Sequence, residues 1–286
     1  MMVVMRLLFL FVLAAVAACS KEAPPAATEI VVSMRPLALI AREIVGPDIP
    51  VRTLMTGDDP HRYAPSASQR ATLENARLVV WMGPELEGVL ARQLASLPRQ
   101  RQLALLDAGG YETAGASAGD PHLWLRPLNA AVIGAHIADR LGELDPAGVE
   151  GYRQRARDFS RRMANAQKVL NRALWAYREV PIVVTHDAYG HFFGPAGVRT
   201  RALSDSSHTK RGARTLLELQ GLGDGCLFGK APANDRDRQT AASLGLRYGA
   251  LDLLGSDLPR EADYGALVRQ LLTDARGCLA ETSAQR

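Results

Sequence analysis

Six histidines occur in 286 residues, and two of them stand in the same local frame. Asp59-Pro60-His61 lies in TGDDPHRYAPS, and Asp120-Pro121-His122 lies in SAGDPHLWLRP. A proline directly before each imidazole stiffens the loop that presents it, which lowers the entropy lost when the ring is held by a ligand. A third histidine, His186, closes the apolar run PIVVTH, and Asp252 follows LRYGAL. Three imidazoles and one carboxylate form a tetrahedral set suited to a borderline divalent ion such as Zn2+. Asp59, Asp120 and Asp187 neighbour the three histidines in sequence, where each could accept the second ring N–H. Taken singly, any histidine reads as an ordinary surface or core residue; three at strand ends, two in a repeated frame, point to a joint site. His136 lies inside an amphipathic helical pattern and stays with the ordinary reading. His191 and His208 are near the cleft in sequence only and are not selected.

Other chemistries lack their residues. GLGDGCLFGKA has Asp224 where a phosphate-binding loop needs glycine, and Ala231 follows Lys230 where Ser or Thr is required. No G-x-G-x-x-G precedes a helical pattern and His-Glu-x-x-His does not occur; GASAG at 115–119 has the letters of G-x-S-x-G but lies in a loop with no helical pattern directly after it, so there is no nucleophile elbow. The net charge of +4 comes almost entirely from arginine, since Lys21, Lys168, Lys210 and Lys230 are the lysines. These arginines alternate with acids, as in GYRQRARDFSRRM, and aromatics make up only 6% of the chain. A solvated helix face explains that pattern better than a nucleic-acid groove, so no nucleic-acid partner is expected.

The elements that must position the histidines follow from periodicity. Strands are predicted at 29–34, 51–56, 77–83, 102–107, 181–186, 200–204 and 226–230, and over LRYGALDLLG. Helical patterns fall between them, over LALIAREIVG, SASQRATLENA, ELEGVLARQLASL, TKRGARTLLELQGLG, DRDRQTAASLG and from about 262 to 279. Two longer ones cover 129–141 and about 147–177, the second without Gly or Pro after Gly151. Strand–helix alternation indicates α/β layers with parallel sheets. The expected architecture is two similar α/β lobes joined by one long helix: 28–146, a linking helix at 147–178, and 179–286. Ligands of such sheets bind beyond the carboxyl ends of the strands. His61, His122, His186 and Asp252 all fall there, two in each half, so a shared site lies in the interlobe cleft. Disorder is expected only in the tail after the N-terminal segment and in the loop at 110–119.

The first twenty residues, MMVVMRLLFLFVLAAVAACS, have one positive charge, Arg6, before an apolar run from Leu7 to Ala18. That run is short for a bilayer span and suits a signal peptide covering 1–18. Val16-Ala17-Ala18-Cys19 resembles a bacterial lipobox, which makes Cys19 the lipidated residue; ordinary cleavage beside an incidental cysteine is the alternative. Residues 19–27 read as a flexible tether. Export places Cys226 and Cys278 in an oxidising compartment, where a disulfide is the default. Neither has a second Cys or His at ligand spacing. A bridge closing a loop of that length contributes roughly 3–4.5 kcal/mol on the loop-entropy model.

The chain resembles the periplasmic metal-binding proteins of ABC importers, especially the zinc-uptake ZnuA-like family. The residues that carry the resemblance are DPHRYAPSASQRATLENARLVVWMGPELE, DPHLWLRPLNA, THDAYGHF and CLFGKAPAN…GLRYGALDLLG…YGALVRQLLTDARGCL. It implies two lobes bridged by a long helix, one metal between them, and His61, His122 and His186 as ligands. Asp252 matches a position that supplies a carboxylate in some members, while others use water or a neighbouring acid. A histidine at 186, where manganese-selective relatives tend to carry an acid, favours zinc, as does nitrogen ligation itself. Two departures stand out. GGYETAGASAGD has no histidine where many zinc-type members carry a long His/Asp-rich loop. Lys230, in FGKAPAN, puts a positive charge where the family has Glu-Pro-Gln.

The reading is therefore a monomeric, lipid-anchored periplasmic protein that captures Zn2+ and delivers it to an ABC-type permease and its ATPase. Manganese or another divalent metal is the alternative cargo. A zinc-dependent hydrolase with an open coordination position is the alternative chemistry, although no convincing general base is visible. A surface adhesin using zinc structurally is the third reading, and it would need an exposed apolar patch.

Overall fold

The structure is a computed structural model that describes residues 29–55, 59–205 and 219–283. The signal peptide, Cys19, the tether, His208 and most of the helix expected over TKRGARTLLELQGLG lie outside the described residues. Among the described residues, no helix is long and apolar enough to cross a membrane.

Two four-stranded parallel sheets organise the chain. The first contains β1 (Ile30–Val32), β2 (Val51–Thr53), β3 (Leu78–Trp81) and β4 (Gln102–Ala104), in the order β2-β1-β3-β4. The second contains β5 (Ile182–Val184), β6 (Thr200–Ala202), β7 (Cys226–Lys230) and β8 (Arg247–Leu251), in the order β6-β5-β7-β8. The two orders are topologically the same, so the chain holds two copies of one α/β plan. Central strands covered on both faces must be apolar throughout; β1, β3 and β5 read IVV, LVVW and IVV, every residue buried.

Helix α1 (Arg35–Val45) starts with a proline in its first turn and ends at Gly46, whose φ of +81° a side chain would strain. Helix α2 (Ala67–Asn75) is held by a capping box between Ser66 and Gln69. α3 (Gly88–Leu94) and α4 (Pro127–Leu144) complete the first lobe. α5 (Val149–Trp175) is the long helix. Its buried residues Tyr152, Ala156, Phe159, Met163, Gln167, Leu170 and Leu174 recur every three or four positions, one continuous stripe. α6 (Asp235–Ser243) and α7 (Tyr264–Ser283) belong to the second lobe. The Cys226–Cys278 disulfide ties the first residue of β7 to α7.

Most strands are shorter than the sequence suggests, and β4 shows why. Trp81, the last residue of β3, pairs with Ala104, so 105–107 have no partner strand; Leu105–Ala108 forms a helical turn instead. The lobes are not separate cores. A single apolar cluster runs from Ile30, Leu37 and Ile44 through Phe159 and Leu170 to Phe192, Phe228, Leu251 and Tyr264. A large apolar seam of this kind opposes wide hinge motion, which leaves adjustment to the loops at the cleft.

A buried acid stands in the first lobe, just before α3. Glu87 is almost fully buried and accepts the main-chain N–H of Met82 at 2.7 Å. Burial pushes its carboxyl up to about 7. The folded protein thus retains a proton that the unfolded chain has released, so stability is complete below the ordinary carboxyl range and falls as pH rises through about 7. Glu87→Gln mimics the protonated form. Metal-stripped Glu87→Gln should melt like wild type at pH 5 and above it at pH 8 in thermal unfolding; equal pH profiles would refute the shift.

Candidate metal centre

The carboxyl ends of both sheets face a common cleft, and three histidines meet in it. His61 is carried by the short 3-10 turn Pro60–Arg62 in the loop after β2. His122 caps another such turn, Leu123–Leu125, beyond β4. His186 lies two residues past the end of β5, in the second lobe. One nitrogen from each ring lies within 4.8 Å of the others. Ring centroids are 5.9 Å apart for His61–His122, 5.6 Å for His61–His186 and 5.2 Å for His122–His186. Nitrogens bound tetrahedrally to zinc at about 2.0–2.1 Å stand about 3.4 Å from each other. The observed spread is thus close to what one ion would gather.

Hydrogen bonds orient two of the rings. His122 is 4% exposed, and its Nδ1 lies 2.7 Å from Asp120 Oδ1. An ionised carboxylate only accepts, so Nδ1 carries the proton and Nε2 keeps its lone pair for a metal. Burial opposes ionisation of Asp120, but the hydrogen bond and the charge of the His122 ring outweigh it and hold the carboxyl below its usual range. His186 Nδ1 lies 2.8 Å from the main-chain oxygen of Asp205, which likewise leaves Nε2 facing the cleft chemistry.

The acids make the following contacts. Asp120 occupies the expected place beside its ring. Asp59 Oδ1 accepts the main-chain N–H of His61 at 3.1 Å, a bond that stiffens the loop presenting the ring. Asp187 Oδ2 accepts the hydroxyl of Ser117 at 2.7 Å; the place beside the His186 ring belongs to the Asp205 carbonyl. Asp252 follows β8 directly and is 7% exposed, but it is not in the three-histidine cluster. Its two oxygens accept the N–H groups of Leu254 and Asp257 at 3.2 and 2.9 Å, closing a turn. Lys230 is the half-buried last residue of β7.

Two residues of the centre carry no sequence signal of chemistry. Trp124, fully buried, donates its indole N–H to Leu253 O at 2.9 Å, and its ring centroid is 5.2 Å from that of His122. It thus ties the His122 segment to the loop of Asp252. His191, also fully buried, places Nε2 3.2 Å from Asp120 O and Nδ1 3.4 Å from Asn129 Nδ2. Burial holds His191 below the ordinary imidazole range, against the pull of Asp120. His136 is elsewhere, beside Gly109 O at 3.0 Å.

The segment expected to be disordered is ordered. Glu112 exchanges main-chain hydrogen bonds with the Asn129 side chain, and the Arg126 guanidinium bonds Ala114 O. Gly115 then packs on Gly194 of the second lobe so closely that a Cβ on Gly194 would lie 2.3 Å from Gly115 O.

Comparison with known proteins agrees with this architecture. A family model described as zinc-uptake complex component A, periplasmic (ZnuA), matches residues 30–274. The high-affinity zinc uptake system protein ZnuA of Brucella suis is 23% identical over 88% of this chain and 92% of its own length. The protein of that name from Paracoccus denitrificans is 29% identical over 90% and 93%. Among solved structures, a Zn(II)-bound mutant variant of AdcAII from Streptococcus pneumoniae superposes with a TM-score of 0.75 at 22% identity, covering 90% of this chain and all of that one. A match over most of the chain, on a fold of two parallel-sheet lobes, places this protein in the ZnuA family of periplasmic zinc-uptake components.

Proposed function

We propose that this chain is an extracytoplasmic solute-binding protein that captures Zn2+ with high affinity and delivers it to an ABC-type permease and its ATPase. The observation that carries the reading is the convergence of His61, His122 and His186 from two lobes, with ligand atoms within 4.8 Å of one another. His122 and His186 each have Nδ1 beside an acceptor and Nε2 left for an ion. Nitrogen donors favour zinc over manganese, which prefers oxygen. We assign Asp252 as the fourth ligand: it follows β8 directly, at the carboxyl end of the second sheet, and a carboxylate has more lone pairs than the two it commits to Leu254 and Asp257. A closed shell leaves no water to activate, in keeping with a transport family rather than an enzyme.

The cargo joins groups from both lobes, so it favours the closed cleft by its differential affinity for it. Release follows when the permease separates the ligands. We further assign 28–146 and 179–286 to the two lobes and 147–178 to the helix between them. The mature protein acts as a monomer held to the membrane through lipidated Cys19. The test is a calorimetric titration of chelator-stripped protein with Zn2+ and with Mn2+, repeated on Asp252→Ala. One tight zinc site, weak manganese and weaker zinc in the variant are expected. Tight manganese would replace the cargo, and unchanged zinc in the variant would remove Asp252 from the shell.

A further inference from the structure

The zinc reading uses His122 and its carboxylate partner, but not the residues behind them. Asp120 holds His122 through its side chain, and its own main-chain oxygen faces His191 across the lobe boundary, 3.2 Å from Nε2. A carbonyl oxygen accepts only, so His191 Nε2 carries the ring proton; Nδ1, bearing a lone pair, then faces the Asn129 amide. Asn129 in turn exchanges hydrogen bonds with the main chain of Glu112, where the strap over the cleft begins. Ser117, in the same strap, donates to Asp187 Oδ2, beside ligand His186. Gly190, next to His191, is equally committed: a Cβ there would lie 2.7 Å from Ala116 Cα. Residues 112–120 of the first lobe are therefore pressed on the second lobe at Gly190 and Gly194, with hydrogen bonds at both ends of the contact.

We infer that His191 is a positioning residue for the metal site, acting through the main chain of Asp120 on the orientation of His122, and that residues 112–120 form the strap that couples this orientation to the second lobe. The inference rests on the zinc reading of the three histidines. Its physical basis is a relay of fixed groups: outer partners that orient a metal-bound imidazole set the basicity and aim of the ligand atom. Here the relay crosses from one lobe to the other. A local shift of the strap away from Gly190 and Gly194 would withdraw Asp120 O from the His191 N–H and loosen His122, so a ligand can be released without a wide swing of the lobes.

The test is zinc affinity and the zinc off-rate, read by competition with a chelator in the mature chain. His191→Phe keeps the ring volume and removes the donor; it should raise the off-rate by about 3- to 10-fold, the weight of one buried hydrogen bond. His191→Gln restores a donor near the Nε2 position and should lie within about twofold of wild type, and Ser117→Ala should weaken binding by a few fold. In the His122→Ala background, where nothing remains to be positioned, His191→Phe should have no further effect on zinc. Wild-type off-rates in both His191→Phe and Ser117→Ala would overturn the inference. So would the same fold-loss from His191→Phe with and without His122, which is the mark of a purely structural role. Unchanged zinc affinity in His122→Ala itself would overturn the ligand assignment, and this inference with it.

Discussion

His122→Ala should weaken zinc binding by more than about 100-fold, the largest effect of any single substitution in the cleft. Loss of an outer partner of a metal-bound histidine costs about 10- to 100-fold, so loss of the ligand itself must exceed that range. His122 is also the ring with the least freedom: it is buried, its Nδ1 is held by Asp120 at 2.7 Å, and Trp124 packs beside it. Little ordering is left for the ion to impose, and such a ligand contributes nearly its full interaction. Asp120→Asn should fall in the range of about 10- to 100-fold, because an amide oxygen can still accept from Nδ1 but without the charge. His136→Ala should be silent, since His136 lies beside Gly109, away from the cluster. Competition titration against a chelator of known affinity measures all three, and wild-type affinity in His122→Ala would remove it from the ligand set. Acidification should weaken the same site by another route. Zinc needs neutral imidazoles, so affinity should drop steeply below about pH 6.5, where free histidine gains its proton. The Asp120 carboxyl is held below its usual range, so its support for His122 persists through that window and is lost only at lower pH.

The parts that sequence makes legible are those whose cause is local. Parallel strands buried on both faces must be unbroken apolar runs, so IVV, LVVW and the CLFG of β7 declare themselves. The stripe on α5 appears as a period of three to four. His61 and His122 stand out because each follows Asp-Pro, a frame rigid enough to be read without a fold. The parts that stay hidden depend on distant neighbours. GGYETAGASAGD looks like a flexible loop because its order comes from Gly190 and Gly194, more than seventy residues on. His191 gives no sign in sequence beyond its nearness to His186, and its partner is a main-chain oxygen, which no residue type announces. The same reason conceals the Asp205 carbonyl beside His186, a place that sequence proximity gives to Asp187. The strand expected through 107 stops at Ala104 because its neighbour β3 ends, a fact of pairing and not of composition.

Trp124→Ala should have the largest effect on stability, about 3–5 kcal/mol, the range for removing a buried aromatic side chain. Two lobes depend on this one residue. Its indole N–H satisfies Leu253 O, its own carbonyl accepts the hydroxyl of buried Tyr264 at 2.5 Å, and its ring stands beside His122. Trp124→Phe retains most of the volume and strands only the Leu253 carbonyl, so about 1–3 kcal/mol is expected there. Zinc separates the two roles of the residue. A cargo that binds only the folded state stabilises it by about 4 kcal/mol at a thousand times its dissociation constant, and that increment reports how well the site is formed. If Trp124 served packing alone, each variant would gain as much from zinc as wild type does. Because it also fixes the turn that follows His122 and the loop that follows Asp252, the gain should shrink in Trp124→Ala and be largely kept in Trp124→Phe. Urea unfolding of each protein with and without zinc measures both quantities. A loss below about 1 kcal/mol in Trp124→Ala would contradict the burial; an undiminished zinc increment would confine the Trp124 side chain to the core and leave the positioning of His122 to contacts that do not use the indole, among them Asp120–His191 and the Tyr264 hydroxyl on Trp124 O.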